Sequence, residues 1–380
     1  MKQETDQPRL DQKQIETEIM GMYAQGLYDE AIFLAEKLIK AHPENLLGWK
    51  ALATLYLQQG RHEETVHALQ QALVCAPFDV SLYYNLGTEL LLLKRLDEAA
   101  VALQQAIGIV PNMTVAINNL GVVFKRSNKV EDAIAHFEQA IHLQPDYAEA
   151  HNNLGESLSM LGEFDQAIAS YQQAIALNPV YVEAHNNLGY LYKELGQYDL
   201  AVASFRQALA LNPSYEIAHN NLGTALVEME QLEAAAASYR AALEINPDYS
   251  QAYLNMGNLL RDQHRFTEAI DAYRTALNLD PDFHSASNNL LFCVNYHPDY
   301  SSEELYAYYK EYEERFARPL YKEWQAHTNT RDPERRLKIG YVSPSFRNHS
   351  TRHFLEPLLA HHDHNRFEIY AYAQLSRADE

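Results

Sequence analysis

A proline that recurs every 34 residues constrains the fold of this 380-residue chain more than any other feature. Two columns of small residues keep the same period, one running from Ala53 to Gly257 and the other from Ala99 to Ala269. Self-similarity at a period of this size is typical of stacked structural units. We therefore predict eight consecutive units over residues 12–283, each containing one of Pro43, Pro77, Pro111, Pro145, Pro179, Pro213, Pro247 and Pro281.

The apolar spacing inside a unit predicts two helices. His185, Leu188, Gly189 and Tyr192 lie at i, i+3, i+4 and i+7, and the same spacing restarts after Gly196. The proline near the end of each unit lacks an N–H and has a fixed φ, so the second helix must stop before it. Because one such hairpin cannot bury its own apolar face, stability must come from stacking on its neighbours.

These residues resemble the tetratricopeptide repeat, whose pattern is W-x2-L-G-x2-Y, then A-x3-F, then a proline. The segments Trp49-x2-Leu52-Ala53-x2-Tyr56 and Ala201-x3-Phe205 with Pro213 match it well. The resemblance implies an all-α superhelix (a solenoid) of eight repeats over 12–283, after a polar N-terminal segment at 1–11. We expect a partial repeat and capping helices at 284–326 and a linker at 327–335.

Composition excludes several classes of protein. Lys and Arg number 30 against 51 Asp and Glu, a net charge of −21, whereas a nucleic-acid binder needs a concentrated positive surface. No apolar run approaches the roughly 18 residues of a membrane span, and the first residues are too polar for a secretory peptide. Cys75 and Cys293 match no metal or redox spacing. We expect a soluble, cytoplasmic protein that binds neither nucleic acid nor membrane.

An asparagine column occupies the sixth position of most units. Asparagine is a mediocre helix former, so its recurrence in register needs a reason. An amide offers donors and an acceptor that suit any peptide backbone. One hypothesis is that the column faces the inner wall of the superhelix and binds extended polypeptide; the other is that it joins neighbouring repeats. The column comprises Asn85, Asn119, Asn153, Asn187, Asn221, Asn255 and Asn289.

The last 45 residues follow a different pattern. Leu337–Ser343 and Phe367–Ala373 are short, apolar and β-prone, and a helical segment interrupted by Pro357 lies between them. Strand, helix, strand is the unit of a parallel sheet, and sites in such sheets lie beyond the carboxyl ends of the strands. We predict an incomplete β-α-β start of a Rossmann-like α/β domain over residues 336–380, with a candidate site in the loop at 348–353.

The segment LKIGYVSPSFRNHSTRHFLEPLLAHH, with RFEIYAYA after it, resembles the start of the catalytic region of the O-linked N-acetylglucosamine transferases. Members of that family join tetratricopeptide repeats to two Rossmann-like lobes. They transfer N-acetylglucosamine from UDP-GlcNAc to Ser or Thr of proteins, with no dinucleotide cofactor or essential metal. The resemblance implies that His349 corresponds to the first histidine of the family's active-site loop. Imidazole can position or deprotonate a hydroxyl near neutral pH, although His349 could instead only cap the following helix.

His353 lies four residues after His349, but no carboxylate or cysteine falls at a metal-site spacing, so we expect no metal ligands. Two functional predictions result. The first is the N-terminal portion of a protein O-N-acetylglucosaminyltransferase, whose repeats bind polypeptide acceptors and whose C-terminal segment begins the UDP-GlcNAc-dependent domain. This chain would then be inactive alone. The second is a non-catalytic repeat scaffold for protein–protein interaction, in which the transferase segment is vestigial.

Overall fold

The structure is a computed structural model that describes residues 12–323, 332, 335–343 and 357–373. The chain divides into two compact units, Met1–Tyr312 and Glu313–Glu380. Each unit is described by itself below. Of the predicted site residues, His349 lies outside the described residues, as do His353 and the loop that contains both.

The first unit is an all-α solenoid of paired helices, as predicted. The first helix of each pair starts 34 residues after the previous one: α1 Gln12–Ala24, α3 Leu46–Gln58, α5 Val80–Leu92, α7 Thr114–Arg126, α9 Ala148–Met160, α11 Val182–Glu194, α13 Glu216–Glu228, α15 Ser250–Asp262 and α17 His284–Tyr296. The second helices are α2 Tyr28–Ala41, α4 His62–Cys75, α6 Leu96–Ile109, α8 Val130–Leu143, α10 Phe164–Leu177, α12 Tyr198–Leu211, α14 Leu232–Ile245 and α16 Phe266–Leu279. A shorter helix, α18 Ser302–Tyr312, follows α17.

The glycine column packs against a large side chain of the second helix in the same repeat. Gly189 lies against the ring of Phe205, which is fully buried, and Gly257 lies against Tyr273 in the same way. Because these glycines carry no side chain, the two helices can approach until the ring fills the space between them. Burial raises the pKa of the Tyr273 phenol, whose hydroxyl donates to Asn258 Oδ1 at 2.9 Å.

The turn between the two helices of a repeat requires a left-handed residue. Gly26, Gly60, Gly162 and Gly196 hold this position with φ between 68° and 81°. In four other repeats the same position has a side chain and a φ near 60°: Lys94, Asn128, Glu230 and His264. A side chain in this conformation costs energy, except that asparagine tolerates it better. The tight turn is therefore imposed by helix packing, even where the local sequence opposes it.

The C-terminal end of the solenoid is covered by α18. Ser301 and Glu304 form a reciprocal cap, in which Ser301 N donates to Glu304 Oε2 at 2.8 Å and Glu304 N donates to Ser301 Oγ at 3.3 Å. Leu305 and Tyr308 pack against the last core cluster, which includes the buried Cys293. The helix thus covers part of the apolar face that a terminal repeat leaves exposed.

The second unit contains a two-stranded parallel sheet, as the sequence predicts. Strand β1 (Leu337–Ser343) pairs with β2 (Phe367–Ala373) in a register that places Leu337 opposite Phe367. One helical turn at 357–360 lies between the strands in sequence, and a π-helical segment, Glu313–Ala317, is followed by a 3-10 helix, Arg318–Glu323. Among the described residues, no helix is long and apolar enough to cross a membrane.

Candidate functional site

The first helices form the inner wall of the solenoid. Neighbouring first helices approach each other directly at the pairs α1–α3, α5–α7, α7–α9, α9–α11, α11–α13, α13–α15 and α15–α17. Within the described residues, no two second helices come comparably close. A stack that is tighter on one side must curve toward that side, so the first helices lie on the concave surface. We call the solvent-facing surface of these helices the inner wall.

The asparagines of the inner wall join successive repeats through their side chains. The sixth-position Asn187 donates from Nδ2 to Oδ1 of Asn152, which holds the fifth position of the preceding repeat, at 3.2 Å. Three other pairs repeat this geometry: Asn153 to Asn118 at 3.1 Å, Asn221 to Asn186 at 3.0 Å and Asn255 to Asn220 at 2.8 Å. We refer to these four hydrogen bonds as the asparagine ladder.

The ladder changes where the fifth position is not asparagine. Leu254 holds that position in one repeat, and Asn289 donates instead to Oδ1 of Asn258 at 2.8 Å. Asn119 follows a repeat with Tyr84 at the fifth position. It donates only over 3.5 Å, to the hydroxyls of Tyr84 and Thr88, and its Oδ1 accepts from Asn118 at 3.4 Å. Asn85 is exposed and makes no hydrogen bond to a described residue.

The two asparagine columns differ in burial. The ladder's acceptors are almost fully buried: Asn118, Asn152, Asn186 and Asn220 are at most 5% exposed. Among the donors, Asn187, Asn221 and Asn255 are half-buried, while Asn153 is buried. A side-chain amide has two N–H donors and one acceptor oxygen, and the ladder uses one N–H of each donor. The half-buried donors therefore keep hydrogen-bonding capacity that neighbouring repeats do not use.

These bonds realise one of the two roles considered for the sixth-position column, that of joining neighbouring repeats. The peptide-binding role assigned to Asn85, Asn119, Asn153, Asn187, Asn221, Asn255 and Asn289 stays a prediction. The sequence alone gave no role to the fifth-position asparagines. They are visible in the sequence, however, because a pair of adjacent asparagines recurs with the repeat period.

Two lysines of the inner wall are paired with carboxylates. Lys125 Nζ lies 2.6 Å from Glu156 Oε2, and Lys50 Nζ lies 2.5 Å from Asp79 Oδ2. Hydrogen bonds from Lys50 and then Ser81 lower the pKa of Asp79 to about 2. Among the described residues, no group of three or more His, Cys, Asp or Glu is placed to hold a metal ion. The inner wall therefore offers side-chain amides and these two ion pairs as polar groups.

A cavity of about 300 Å³ opens on the inner wall between α3 and α5. These two first helices are not in the close contact made by the other neighbouring pairs. Thr54 and Leu57 of α3 line one side, Asn85 and Glu89 of α5 line the other, and Leu69 of α4 lies beneath them. Glu89 is 7% exposed, and its Oε2 lies 2.9 Å from His62 Nδ1.

Comparison with protein families identifies both parts of the chain. Residues 123–162, 160–196 and 189–229 match "TPR repeat", and residues 220–284 match "Tetratricopeptide repeat". Residues 24–106 match "Anaphase-promoting complex, cyclosome, subunit 3", and residues 317–380 match "Glycosyl transferase family 41". A solved structure of the APC/C hetero-tetramer Cut9-Hcn1 has a similar fold, with a TM-score of 0.54 and 18% identity over 76% of this chain and 57% of that one.

Among curated proteins, the chain is similar to the probable UDP-N-acetylglucosamine–peptide N-acetylglucosaminyltransferase SPINDLY of Petunia hybrida, at 38% identity over 95 residues. The protein of the same name from Arabidopsis thaliana is 35% identical over 97 residues. Each match covers 25% of this chain and 10% of the relative. With tetratricopeptide repeats matched over residues 123–284 and a glycosyl transferase family 41 segment at 317–380, the chain is a tetratricopeptide-repeat protein that is similar to the O-linked N-acetylglucosamine transferases.

Proposed function

We propose that the inner wall binds polypeptide acceptors in an extended conformation, and that the C-terminal segment begins a domain that glycosylates them from UDP-GlcNAc. The observation that carries this proposal is the half-buried sixth-position amides on a concave wall, in a chain that also carries a family 41 segment. The names of the similar plant proteins describe the same reaction class. We keep the expectation of a cytoplasmic location as part of this proposal.

The proposed contact is between the ladder donors and the backbone of the acceptor. Each donor is held in one orientation by its bond to the preceding repeat, so it loses little further freedom when a peptide binds. The remaining N–H can then pair with a peptide carbonyl. The side-chain oxygen can accept a peptide N–H through its second lone pair, since Asn255 Oδ1 already accepts from Gln251 Nε2 at 3.1 Å and Asn187 Oδ1 from Asn186 Nδ2 at 3.5 Å. Because every backbone offers these groups, the wall would accept many sequences. Contacts repeated over several units would raise the affinity.

Two matched triple variants test the peptide-binding role. Both remove the same three ladder bonds, one from the donor side and one from the acceptor side. They should lose similar stability. The donor set lacks the binding amides and should lose about tenfold or more in affinity for a labelled extended peptide, whereas the acceptor set only frees those amides to rotate and should lose much less. Equal affinity of the two variants would contradict the proposal. The donor set is Asn187→Ala, Asn221→Ala and Asn255→Ala; the acceptor set is Asn152→Ala, Asn186→Ala and Asn220→Ala.

The transferase step is tested with protein expressed from its complete reading frame and labelled UDP-GlcNAc. Incubation with a cell lysate should label proteins on Ser or Thr, and His349→Ala should abolish the labelling if His349 acts on the acceptor hydroxyl. Peptide binding without any labelling would instead favour the scaffold, in which the repeats bind partners and the transferase segment is vestigial. Labelling that persists in His349→Ala would remove that residue from the proposed active site.

A further inference from the structure

Glu89 is a buried charge in a column that is otherwise apolar or small. It occupies the tenth position of its repeat, where the first repeat has the half-buried Gly21 and the remaining repeats place Leu55, Val123, Ser157, Leu191, Ala225, Leu259 and Cys293, all of them buried. Burying a carboxylate is costly unless charge and hydrogen bonds compensate for its lost hydration. A leucine would fill this column position at no such cost. The carboxylate therefore needs an explanation other than packing.

The His62 contact satisfies only half of the carboxylate. His62 Nδ1 lies 2.9 Å from Oε2, whereas Oε1 accepts no hydrogen bond from any residue the structure describes. Within that part of the chain, no buried side-chain polar atom is both sealed from solvent and without a partner. Since Glu89 lines the cavity between α3 and α5, Oε1 keeps its access to solvent through that cavity.

The cavity is lined by both apolar and polar side chains. Leu57, Leu69 and Leu82 supply apolar surface, while Asn85 and the hydroxyls of Thr54 and Thr88 add acceptors. Its volume of about 300 Å³ is at the lower limit for small-ligand sites, which suits one long side chain. Lys50 also lines the cavity, but its ammonium is paired with Asp79, so it does not contact Glu89 Oε1.

We propose that this cavity binds a lysine side chain of the polypeptide held on the inner wall, with the ammonium group bonded to Glu89 Oε1. The inference rests on the proposed function, since it assigns a side-chain preference to that same wall. Apolar walls suit the four-carbon stem, and hydroxyl and amide oxygens can accept the remaining ammonium hydrogens. Arginine fits less well, because its paired donors need both carboxylate oxygens and Oε2 already contacts His62.

Two capped peptides of serine, threonine and glycine provide the test, one with a single central lysine and the other with norleucine in its place. At physiological salt we expect the lysine peptide to bind wild-type protein about tenfold more tightly, as one charge-assisted hydrogen bond provides. Glu89→Gln, which keeps the shape and the contact with His62, should reduce the ratio to about one. Glu89→Leu, which copies Leu55 and Leu191, should do the same.

Glu156→Gln is the matched control, since it removes one negative charge from the inner wall at α9 and should leave the lysine preference unchanged. A ratio of one in wild-type protein, or a ratio that survives both Glu89 substitutions, overturns the lysine site while peptide binding itself stands. Failure of both peptides to bind overturns the peptide groove and the lysine site together. Tighter binding of an arginine peptide than of the lysine peptide overturns the proposal that the ligand's cation bonds only to Glu89 Oε1.

Discussion

The ring of Tyr239 occupies the place where a side chain on Gly223 would lie. A Cβ added to Gly223 would be 2.5 Å from Cε1 and 2.7 Å from Cδ1 of that ring, which is 2% exposed. The same contact recurs between Gly257 and Tyr273. In these repeats the glycine is therefore required by an aromatic ring in the second helix of the same repeat, and at Gly87 the side chain of Leu103 takes the place of the ring.

We expect Gly223→Ala to destabilise the solenoid by about 1–2 kcal/mol. Overpacking a core costs roughly 1–3 kcal/mol, and the better helix propensity of alanine returns up to about 1 kcal/mol. Gly108→Ala is the control, because Gly108 also lies within a helix but an added Cβ would meet nothing within 4 Å. Urea unfolding followed by circular dichroism should show the control to be more stable than wild type. Equal effects of the two substitutions would contradict the packing argument.

A hydrogen bond to the proline carbonyl of the preceding loop secures the start of several first helices. Trp49 Nε1 donates to the oxygen of Pro43 at 2.8 Å, and His185 Nε2 contacts the oxygen of Pro179 at 3.1 Å. A carbonyl can only accept, so Nε2 carries the proton. We expect His185→Ala to lose about 1 kcal/mol of stability and His185→Trp to keep most of it, since tryptophan makes this bond at Trp49. Thermal unfolding of the two variants tests this expectation. A tryptophan variant that is as unstable as the alanine variant would contradict the claim that both side chains stabilise the helix through the same hydrogen bond.

Much of the solenoid could be predicted because the repeat period depends directly on helix packing. The spacing of Gly189 from Leu188 and Tyr192 fixes one helical face, and the terminal proline limits the next helix. The two C-terminal strands were also predictable, since Leu337–Ser343 and Phe367–Ala373 are short apolar runs between polar segments. These are local properties of the chain, and the parallel pairing follows from the helical segment between the strands.

The partners within the candidate site could not be predicted in the same way. Asn187 bonds Asn152, a residue 35 positions earlier, because neighbouring first helices are displaced and rotated relative to each other. The repeat period does not encode that displacement. Glu89 could have been found from the sequence, since it interrupts an apolar column, but its cavity depends on the separation of α3 from α5. The role of His349 stays a prediction, because that residue lies outside the described residues.

The left-handed turn position predicts a stabilising substitution at Glu230. Its φ is 59°, a conformation that costs an ordinary residue about 1–2 kcal/mol, whereas glycine adopts it freely. We expect Glu230→Gly to stabilise the protein by about 0.5–1 kcal/mol after the greater chain entropy of glycine in the unfolded state is deducted. Glu233→Gly, three residues later in the first turn of α14, should instead destabilise by about 1 kcal/mol. Urea unfolding measures whether the free energy of unfolding rises for the first substitution and falls for the second. Destabilisation by both would contradict the proposed strain at Glu230.

The ion pair between Lys50 and Asp79 predicts a dependence of stability on pH. Lys50 and Ser81 lower the pKa of Asp79 from 3.8 to about 2, so its contribution is complete above about pH 5 and is lost as the pH falls through the folded pKa. The Asp79 side chain is 23% exposed, and solvent screening limits the contribution to about 1 kcal/mol. Asp79→Asn keeps an oxygen for the cap on Ser81 but cannot ionise. The stability gap between wild type and Asp79→Asn should shrink by about half from pH 6 to pH 3. It should also be smaller in a Lys50→Met background, where only the hydrogen bonds from Ser81 still lower the pKa of Asp79. A gap that is constant with pH, or that is undiminished by the loss of Lys50, would show that the carboxylate acts only as a helix cap.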